Sequence, residues 1–214
     1  MDVSEFHAST GVGDWRVLGN GLHARYRTDD LAGGAALASD IAAASARGGI
    51  ASDPQVDLRR SSVTVRLPSH ESMFLDADDL AAAQWIQARA GELGLKPEPG
   101  SLRQVQLAVA HAPGVEVRDF WQAVLGYVPL GDEDARDPEE RNPRMWFHEI
   151  REGHAGRGRS HLDVYVPVDQ AEAIIEAAVA AGGRIADSSN PPHWWTLASP
   201  DNHGVDIAPW PDRG

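Results

Sequence analysis

Two polar side chains that can bind a metal ion or hydrogen-bond to a ligand occupy matching places in the C-terminal half of the chain. Gln104 and His161 each open a segment in which apolar and polar residues alternate. An amphipathic stretch follows in both copies, and Gly126 follows Gln104 at the same distance at which Gly183 follows His161. Alternation predicts a strand, the amphipathic stretch predicts a helix, and a glycine is typical of a helix end. The repeat therefore predicts two β-α-β modules that close around one site.

Composition restricts the partners that such a site can serve. The 214 residues include 19 Lys and Arg against 32 Asp and Glu, which gives a formal net charge of −13. A chain this acidic lacks the basic surface that a phosphate backbone requires, so we expect no nucleic-acid partner. The absence of cysteine excludes disulfides and thiolate chemistry. Without an apolar run of about 20 residues or a signal-peptide pattern, the chain is expected to be cytoplasmic and to bind no membrane.

The elements that hold these residues divide into two predicted domains. The segment 93–101 concentrates Pro and Gly between patterned stretches and predicts a linker. Residues 1–95 then form a small α+β domain, with strands around the turn at 19–21 and with helices capped at Asp29 or Asp30 and near Asp76. Residues 101–214 contain the repeat. The highly charged segment 131–144 within it predicts a solvated loop.

A spaced set of residues in the N-terminal half matches a known pattern. The set consists of Pro54, His70 and Asp79, in that order along the chain. Together with Trp15–Val17, the predicted strand 22–27 and an Ala-rich helix, this spacing resembles the pterin-4a-carbinolamine dehydratase family over residues 13–95. The resemblance implies the small α+β fold of that family and a remnant catalytic site at His70 and Asp79.

The resemblance also shows which catalytic groups are missing. The family has two histidines before the proline, and this chain has Ser52 and Asp53 there. Dehydration needs an acid and a base with pKa values near neutrality, whereas serine does not titrate and aspartate is ordinarily ionised. We expect a domain kept for ligand binding, assembly or support of its neighbour. Residual 4a-hydroxytetrahydrobiopterin dehydratase activity is the alternative, and Asp79 has a competing role as a helix cap with Asp76.

Four motifs in the C-terminal half also point to a family. The chain resembles the vicinal oxygen chelate superfamily, in particular its glyoxalase-like and bleomycin-resistance-like members, through residues 104–109, 120–127, 161–164 and 200–206. The resemblance implies two βαβββ modules whose sheets form a cup. In the metal-dependent members, the first and last strands of each module supply the metal ligands.

The repeat then predicts four candidate metal ligands. Asp206 is the acidic residue of the last strand in the second module, and Glu149 precedes it by the same distance that separates Gln104 from His161. Gln104, Glu149, His161 and Asp206 make an N/O set that suits a divalent ion such as Mn, Ni, Zn, Fe or Mg. His148 is the rival of Glu149, because neighbours on a strand face opposite sides. In the alternative without a metal, the four residues line a polar pocket for an organic ligand.

These expectations converge on a small-molecule protein of the α+β class. The leading hypothesis is a metal-assisted lyase, isomerase or ring-opening oxygenase in which Glu149 or Asp206 transfers a proton. The alternative is a non-catalytic module that binds or sequesters an aromatic or drug-like molecule. Both are compatible with a homo-oligomer.

Overall fold

The chain folds into two compact units. The computed structural model describes residues 1–68, 75–115, 117–150, 160–198 and 204–209. The first unit comprises Met1–Leu102, and the second comprises Arg103–Pro209. Among the described helices, none combines the length and the apolar character that crossing a bilayer requires.

The first unit combines helices with one antiparallel sheet. Its described helices are α1 (Val3–Ala8), α2 (Leu31–Ala46) and α3 (Ala77–Glu92). Its strands are β1 (Trp15–Leu18), β2 (Gly21–Arg27), β3 (Gln55–Arg59), β4 (Ser62–Pro68) and β5 (Lys96–Pro97). The sheet has the order β1-β2-β4-β3, and β5 also pairs with β2.

Helix starts in this unit follow from local hydrogen bonds. The Asp30 side chain accepts from the Gly33 N–H and caps α2, as the sequence predicts. Asp76 caps α3 and forms a reciprocal capping box with Asp79, which is also as predicted. These contacts join residues close together in the chain, so the sequence alone is enough to place them.

The core of the first unit lies between the two long helices and the sheet. Apolar residues at helical spacing on α2, such as Leu37 and Ile41, are buried, and so is Ile86 on α3. Trp15 on β1 is fully buried, and its indole N–H donates to the Ala83 carbonyl of α3 at 3.0 Å. This bond satisfies a buried donor and ties the edge strand to the helix.

The predicted linker is partly wrong, because its middle belongs to the first sheet. Lys96 and Pro97 pair with Arg27 and Tyr26 of β2. The N–H of the next residue, at position 98, then donates to a β2 carbonyl at 2.8 Å. Proline is tolerated here because the strand is short and at the sheet edge. Gly94 before the strand and Pro99 and Gly100 after it therefore mark turns, whereas Pro97 is part of the strand itself.

The second unit is built on one mixed sheet. Its described strands are β6 (Gln104–His111), β7 (Val128–Leu130), β8 (Asp134–Arg136), β9 (Arg144–Glu149), β10 (Ser160–Val166), β11 (Arg184–Asp187), β12 (Trp195–Ala198) and β13 (Gly204–Pro209). One helix follows the first strand of each module, α4 (Arg118–Leu125) in the first and α5 (Ala171–Ala180) in the second. The sheet order is β11-β12-β13-β10-β6-β9-β8-β7.

The two predicted modules meet at the centre of this sheet. The first strands β6 and β10 are antiparallel neighbours, β9 runs parallel to β6, and β13 runs parallel to β10. Gly126 ends α4 in the left-handed conformation with a φ of 71°, which glycine adopts without strain. The two copies are thus related by an approximate twofold axis between β6 and β10.

Both helices cover the same face of the sheet. On the α5 side, Ile175 packs with Val166 and Ile207, and on the α4 side Trp121 packs against Met145 and Phe147. Alternate strand residues therefore point away from the helices. We call this other side, which carries His161, the cup face.

The charged segment 131–144 differs from its prediction as a solvated loop. Asp134–Arg136 forms β8, which pairs with both β7 and β9. Within β8 only Ala135 packs with the apolar core, and Asp134 lies next to Trp146 on the cup face. A strand with one apolar residue gives no hydropathy signal, so composition alone predicted a loop.

Candidate functional site

Three polar residues stand side by side at the centre of the cup face. Asp163 on β10 pairs with Gln106 on β6 and with Asp206 on β13. Strand neighbours are about 4.8 Å apart, so directly paired side chains on one face can touch. His161 precedes Asp163 by two positions and points to the same side. The sheet register thus gathers an imidazole and two carboxylates on adjacent strands.

The imidazole and the two carboxylates form a compact cluster. His161 Nε2 lies 3.2 Å from Asp163 Oδ1 and 3.6 Å from Asp206 Oδ2. One ligand atom from each residue lies within 4.8 Å of the other two. Asp163 Oδ1 is buried beside the imidazole. The Asp163 carboxylate is therefore nearer to the His161 ring than the Asp206 carboxylate is.

The protonation equilibria of the cluster reflect this crowding. The carboxylate of Asp163 raises the pKa of His161, with a further contribution from Asp206 and against the opposing effect of burial. Burial raises the pKa of Asp206, and the negative charge of Asp163 adds to this effect. Two carboxylates that share a partly buried site disfavour each other's ionised form. The arrangement favours a bound positive charge between them.

A second imidazole lies beside the cluster. The His148 ring on β9 stacks on Trp146 with ring centres 4.5 Å apart. It meets the His161 ring edge-to-face at 5.8 Å. Between them runs β6, where Ala108 pairs with both His161 and Trp146 and Ala110 pairs with His148. Small side chains at these two positions leave room for both rings to lean across the strand.

Further polar groups continue the cup face away from His161. The Tyr165 hydroxyl donates to Gln106 Oε1 at 3.1 Å. Arg144 pairs with Gln106 in the sheet and is 7% exposed, and its guanidinium lies 3.7 Å from Glu140 Oε1. Burial raises the pKa of Asp134 to about 6, against the lowering effect of the nearby Arg144 charge. A carboxyl group with a pKa near neutrality is typical of a functional site.

The structure brings together two of the four predicted ligands. His161 and Asp206 form the cluster described above, and Asp163 joins them. Glu149 was predicted to face the cup and His148 to face away, and this assignment is wrong. The contact between the His148 and His161 rings fixes His148 on the cup face, so alternation turns Glu149 to the other side. There, Glu149 is exposed and accepts from the Gly114 N–H at 3.2 Å.

Gln104 does lie on the cup face but apart from the cluster. It pairs with Tyr165, four positions from His161, which is about 13 Å along the strand at about 3.3 Å per residue. Its amide Nε2 donates to the neighbouring Val105 carbonyl at 3.2 Å. Gln106, two positions later, is the β6 residue that lies opposite the cluster.

Glu149 was misplaced because the prediction assumed that equivalent residues of the two modules are always the same number of positions apart. Gln106 pairs with Arg144 in the first module, and Asp163 pairs with Asp206 in the second. The chain between β10 and β13 in the second module is longer than the chain between β6 and β9 in the first. The spacing that relates the first strands of the two modules therefore does not relate their last strands. The structural equivalent of Asp206 in the first module is Arg144, and an acidic ligand is absent from that position.

Of the two predicted site residues in the first unit, Asp79 is described by the structure and His70 is not. Asp79 accepts a hydrogen bond from the Ser52 hydroxyl at 3.0 Å while it caps α3 with its other oxygen. Burial raises the pKa of Asp79. His70, the other remnant catalytic residue, lies outside the described residues. Two positions of the dehydratase pattern, 52 and 79, are thus in contact.

Several residues of the cup face were missed at the sequence level. Asp163 lies two positions after His161, so strand alternation alone could have added it to the site. The sequence offers His148 only as the rival of Glu149. Asp134 and Arg144 lie within the segment predicted as a loop. The high charge of that segment gives no indication that these two residues are largely buried on the sheet.

The fold and the cluster define a two-module cup with one histidine and two aspartates at its centre. Residues 104–208 match the glyoxalase-like domain family, which confirms the resemblance stated for the C-terminal half. A solved structure described as a glyoxalase/bleomycin resistance protein/dioxygenase superfamily member from Vibrio splendidus 12B01 is 15% identical, with a TM-score of 0.32. That match covers 51% of this chain and all of the other. No curated protein matches the chain.

Proposed function

We propose that the second unit is a metal-assisted small-molecule enzyme of the glyoxalase-like type, acting as a lyase, an isomerase or a ring-opening oxygenase. The observation that carries this proposal is the cluster of His161, Asp163 and Asp206, with ligand atoms within 4.8 Å of one another. One imidazole nitrogen and two carboxylates are donors that Mn²⁺, Fe²⁺, Ni²⁺, Zn²⁺ and Mg²⁺ accept.

The donors also fit a divalent ion electrostatically. Asp163 and Asp206 are held close together in a partly buried place, where two negative charges repel. Asp163 Oδ1 is buried and lies 3.2 Å from His161 Nε2. A divalent ion bound by these residues would supply a Lewis acid that polarises neighbouring substrate oxygens. The chain's own part is to hold the three donors in register across β10 and β13.

Asp134 is the residue of this face best suited to move a proton. The sequence assigned that role to Glu149 or Asp206, but Glu149 faces away and Asp206 belongs to the proposed ligand set. Asp134 lies on β8 beside Trp146, and burial raises its pKa to about 6. A general acid or base works best with a pKa near the working pH. We assign to Asp134 the transfer of a proton between its carboxyl oxygen and the substrate.

The experiment is a metal titration of the untagged full-length chain. Calorimetry with Mn²⁺ and Ni²⁺ is expected to show one site, and His161→Ala is expected to abolish binding because it removes the imidazole. Glu149→Gln is the matched control on the opposite face and is expected to bind like the wild type. Wild-type protein that binds neither ion would refute the metal-assisted enzyme and favour the organic-ligand module.

Activity is then measured on molecules with two adjacent oxygens. Catechol ring opening and isomerisation of hemithioacetals are followed by absorbance with the metal-loaded protein. Turnover that requires His161 and falls in Asp134→Asn supports both assignments. Turnover that is unchanged in Asp134→Asn removes Asp134 as the proton carrier.

We propose that the first unit is a dehydratase-like scaffold that has lost its acid-base pair. The contact between Ser52 and Asp79 supports this proposal, because it unites two positions of the family pattern in one place. Serine cannot replace an imidazole as a proton carrier. The unit would then bind a ligand or support assembly instead of catalysing dehydration.

A further inference from the structure

The first module has a buried arginine on the cup face at the place where the second module has Asp206. Arg144, Gln106, Asp163 and Asp206 form one row across four neighbouring strands, each residue paired with the next. The neutral amide of Gln106 separates the arginine from the two carboxylates. The Arg144 side chain is 8% exposed, and burial lowers its pKa. Burial of a charged group costs free energy, so this position calls for an explanation.

A second arginine lies at the same end of the cup. Arg136 on β8 follows Asp134 by two positions and therefore points to the same face. Glu140 Oε1 lies 3.7 Å from a guanidinium nitrogen of Arg136 and 3.7 Å from one of Arg144, so the two arginines share one glutamate. Burial raises the pKa of Asp134, the other acidic group, to about 6. These four side chains have a net positive charge whenever Asp134 is protonated.

The loop that carries Glu140 is held in an uncommon conformation. Glu140 has a φ of 50°, in the left-handed region that residues other than glycine rarely adopt. Its side chain is 4% exposed. The Asp137 carboxylate holds the loop by accepting from the backbone N–H groups of Glu139, Arg141 and Asn142 and from the Asn142 side-chain amide. Backbone held in this way clusters at active sites and ligand clamps, so a role for the arginine pair in ligand binding explains it.

The chemistry of this end of the cup fits a carboxylate. A guanidinium binds a carboxylate through two parallel N–H···O bonds. A phosphate group brings nearly two negative charges at neutral pH, whereas a carboxylate brings one. The single charge is the better match here, because Glu140 and Asp134 already lie at this end.

The distance across the sheet indicates where the carboxylate lies in the ligand. The strand β6 separates β9 from β10, so the backbone of Arg144 is about 10 Å from that of Asp163, at about 4.8 Å per strand. A carboxylate bound by Arg144 is therefore a different group from the oxygens that approach the cluster. A molecule with both groups on opposite sides of a small ring spans this distance.

We propose that Arg144, with Arg136 as a second cation, binds a carboxylate of the substrate that is separate from the pair of oxygens directed at the cluster. The substrate class is then a small organic acid with two adjacent oxygens at its far end. Arg144 determines specificity and is not a metal ligand. The inference rests on the proposed function in one respect, namely that the cup face is the substrate site.

The test compares two ligands that differ in charge. The probes are 3,4-dihydroxybenzoate and its neutral amide, 3,4-dihydroxybenzamide, which share the ring and the two adjacent oxygens. Calorimetric titration of the untagged full-length chain in EDTA removes the contribution of any bound ion. Wild-type protein is expected to bind the acid about 10- to 100-fold more tightly, because hydrogen bonds to a charged group are stronger than those to a neutral one. Equal affinities, or no binding of the acid, would overturn the inference.

An arginine variant assigns the preference to its site. Arg144→Gln is expected to bind the acid and the amide equally. Arg141→Gln is the matched control, because Arg141 is an exposed arginine of the same loop, and it is expected to keep the wild-type preference. A preference for the acid that persists in Arg144→Gln refutes the role of Arg144. The comparison of the two ligands on the wild type gives a result whether or not this variant folds.

Failure of this inference is distinct from failure of the metal site. Wild-type protein that prefers the acid but binds neither Mn²⁺ nor Ni²⁺ refutes the metal-assisted enzyme and supports the carboxylate site. Wild-type protein that binds an ion but does not prefer the acid refutes the carboxylate site and leaves the cluster of His161, Asp163 and Asp206 as proposed.

Discussion

Replacement of Asp134 by asparagine should change the pH dependence of stability in a way that can be worked out beforehand. Burial raises the pKa of Asp134 from 3.8 to about 6. The native state therefore binds a proton more tightly than the unfolded chain between about pH 4 and pH 6. The contribution of Asp134 to the free energy of unfolding therefore falls over this range as pH rises, since its carboxylate ionises in a desolvated position. The neutral amide introduced by Asp134→Asn has no such cost.

The size of the stability difference follows from the pKa shift of Asp134. Two pKa units correspond to about 3 kcal/mol, at about 1.4 kcal/mol per unit. Contact of part of the side chain with water reduces this to about 2 kcal/mol. The variant should thus gain about 2 kcal/mol relative to the wild type between about pH 4 and pH 7.

Urea denaturation followed by tryptophan fluorescence, in EDTA and at several pH values, measures the difference directly. Asp132→Asn is the control, because Asp132 is an exposed neighbour in the turn before β8. A difference between Asp134→Asn and wild type that stays constant with pH would refute the raised pKa. It would also remove the reason for assigning proton transfer to Asp134.

Two further predictions concern the first unit. The full-length chain should turn over 4a-hydroxytetrahydropterin far more slowly than an active dehydratase, because Ser52 and Asp53 replace the acid-base pair, and a rate like that of an active family member would contradict this. Residues 1–102 expressed alone should unfold at a higher temperature by circular dichroism than residues 1–95, because the longer piece retains the pairing of β5 with β2. Equal melting temperatures would show that β5 contributes nothing to the sheet.

The features that the sequence predicted are those that short-range contacts determine. The caps at Asp30 and Asp76 depend on hydrogen bonds between residues close together in the chain. The repeat was visible because each module places its strand, helix and glycine at the same short distances from the opening residue. These signals located the modules, the strand of His161 and the acidic residue Asp206.

The features that the sequence did not predict depend on contacts between residues far apart in the chain, which a sequence pattern does not show. Which residue of β9 lies opposite Gln106 is set by the length of the intervening chain, and the two modules differ in that length. The choice between His148 and Glu149 depended on that register, because a shift of one residue exchanges the two faces of a strand. The burial of Asp134 and Arg144 was hidden because charged residues on a polar face carry no hydropathy signal.

The approximate twofold axis of the second unit has a consequence for any molecule that enters the cup. The backbone repeats, but the side chains do not: Arg144 stands in one module where Asp206 stands in the other, and Gln106 faces Asp163 across the axis. A symmetric backbone thus carries an arginine on one half and an aspartate at the matching place on the other. A molecule turned end over end in the cup would meet a different side chain at that place, so its two orientations are not equivalent.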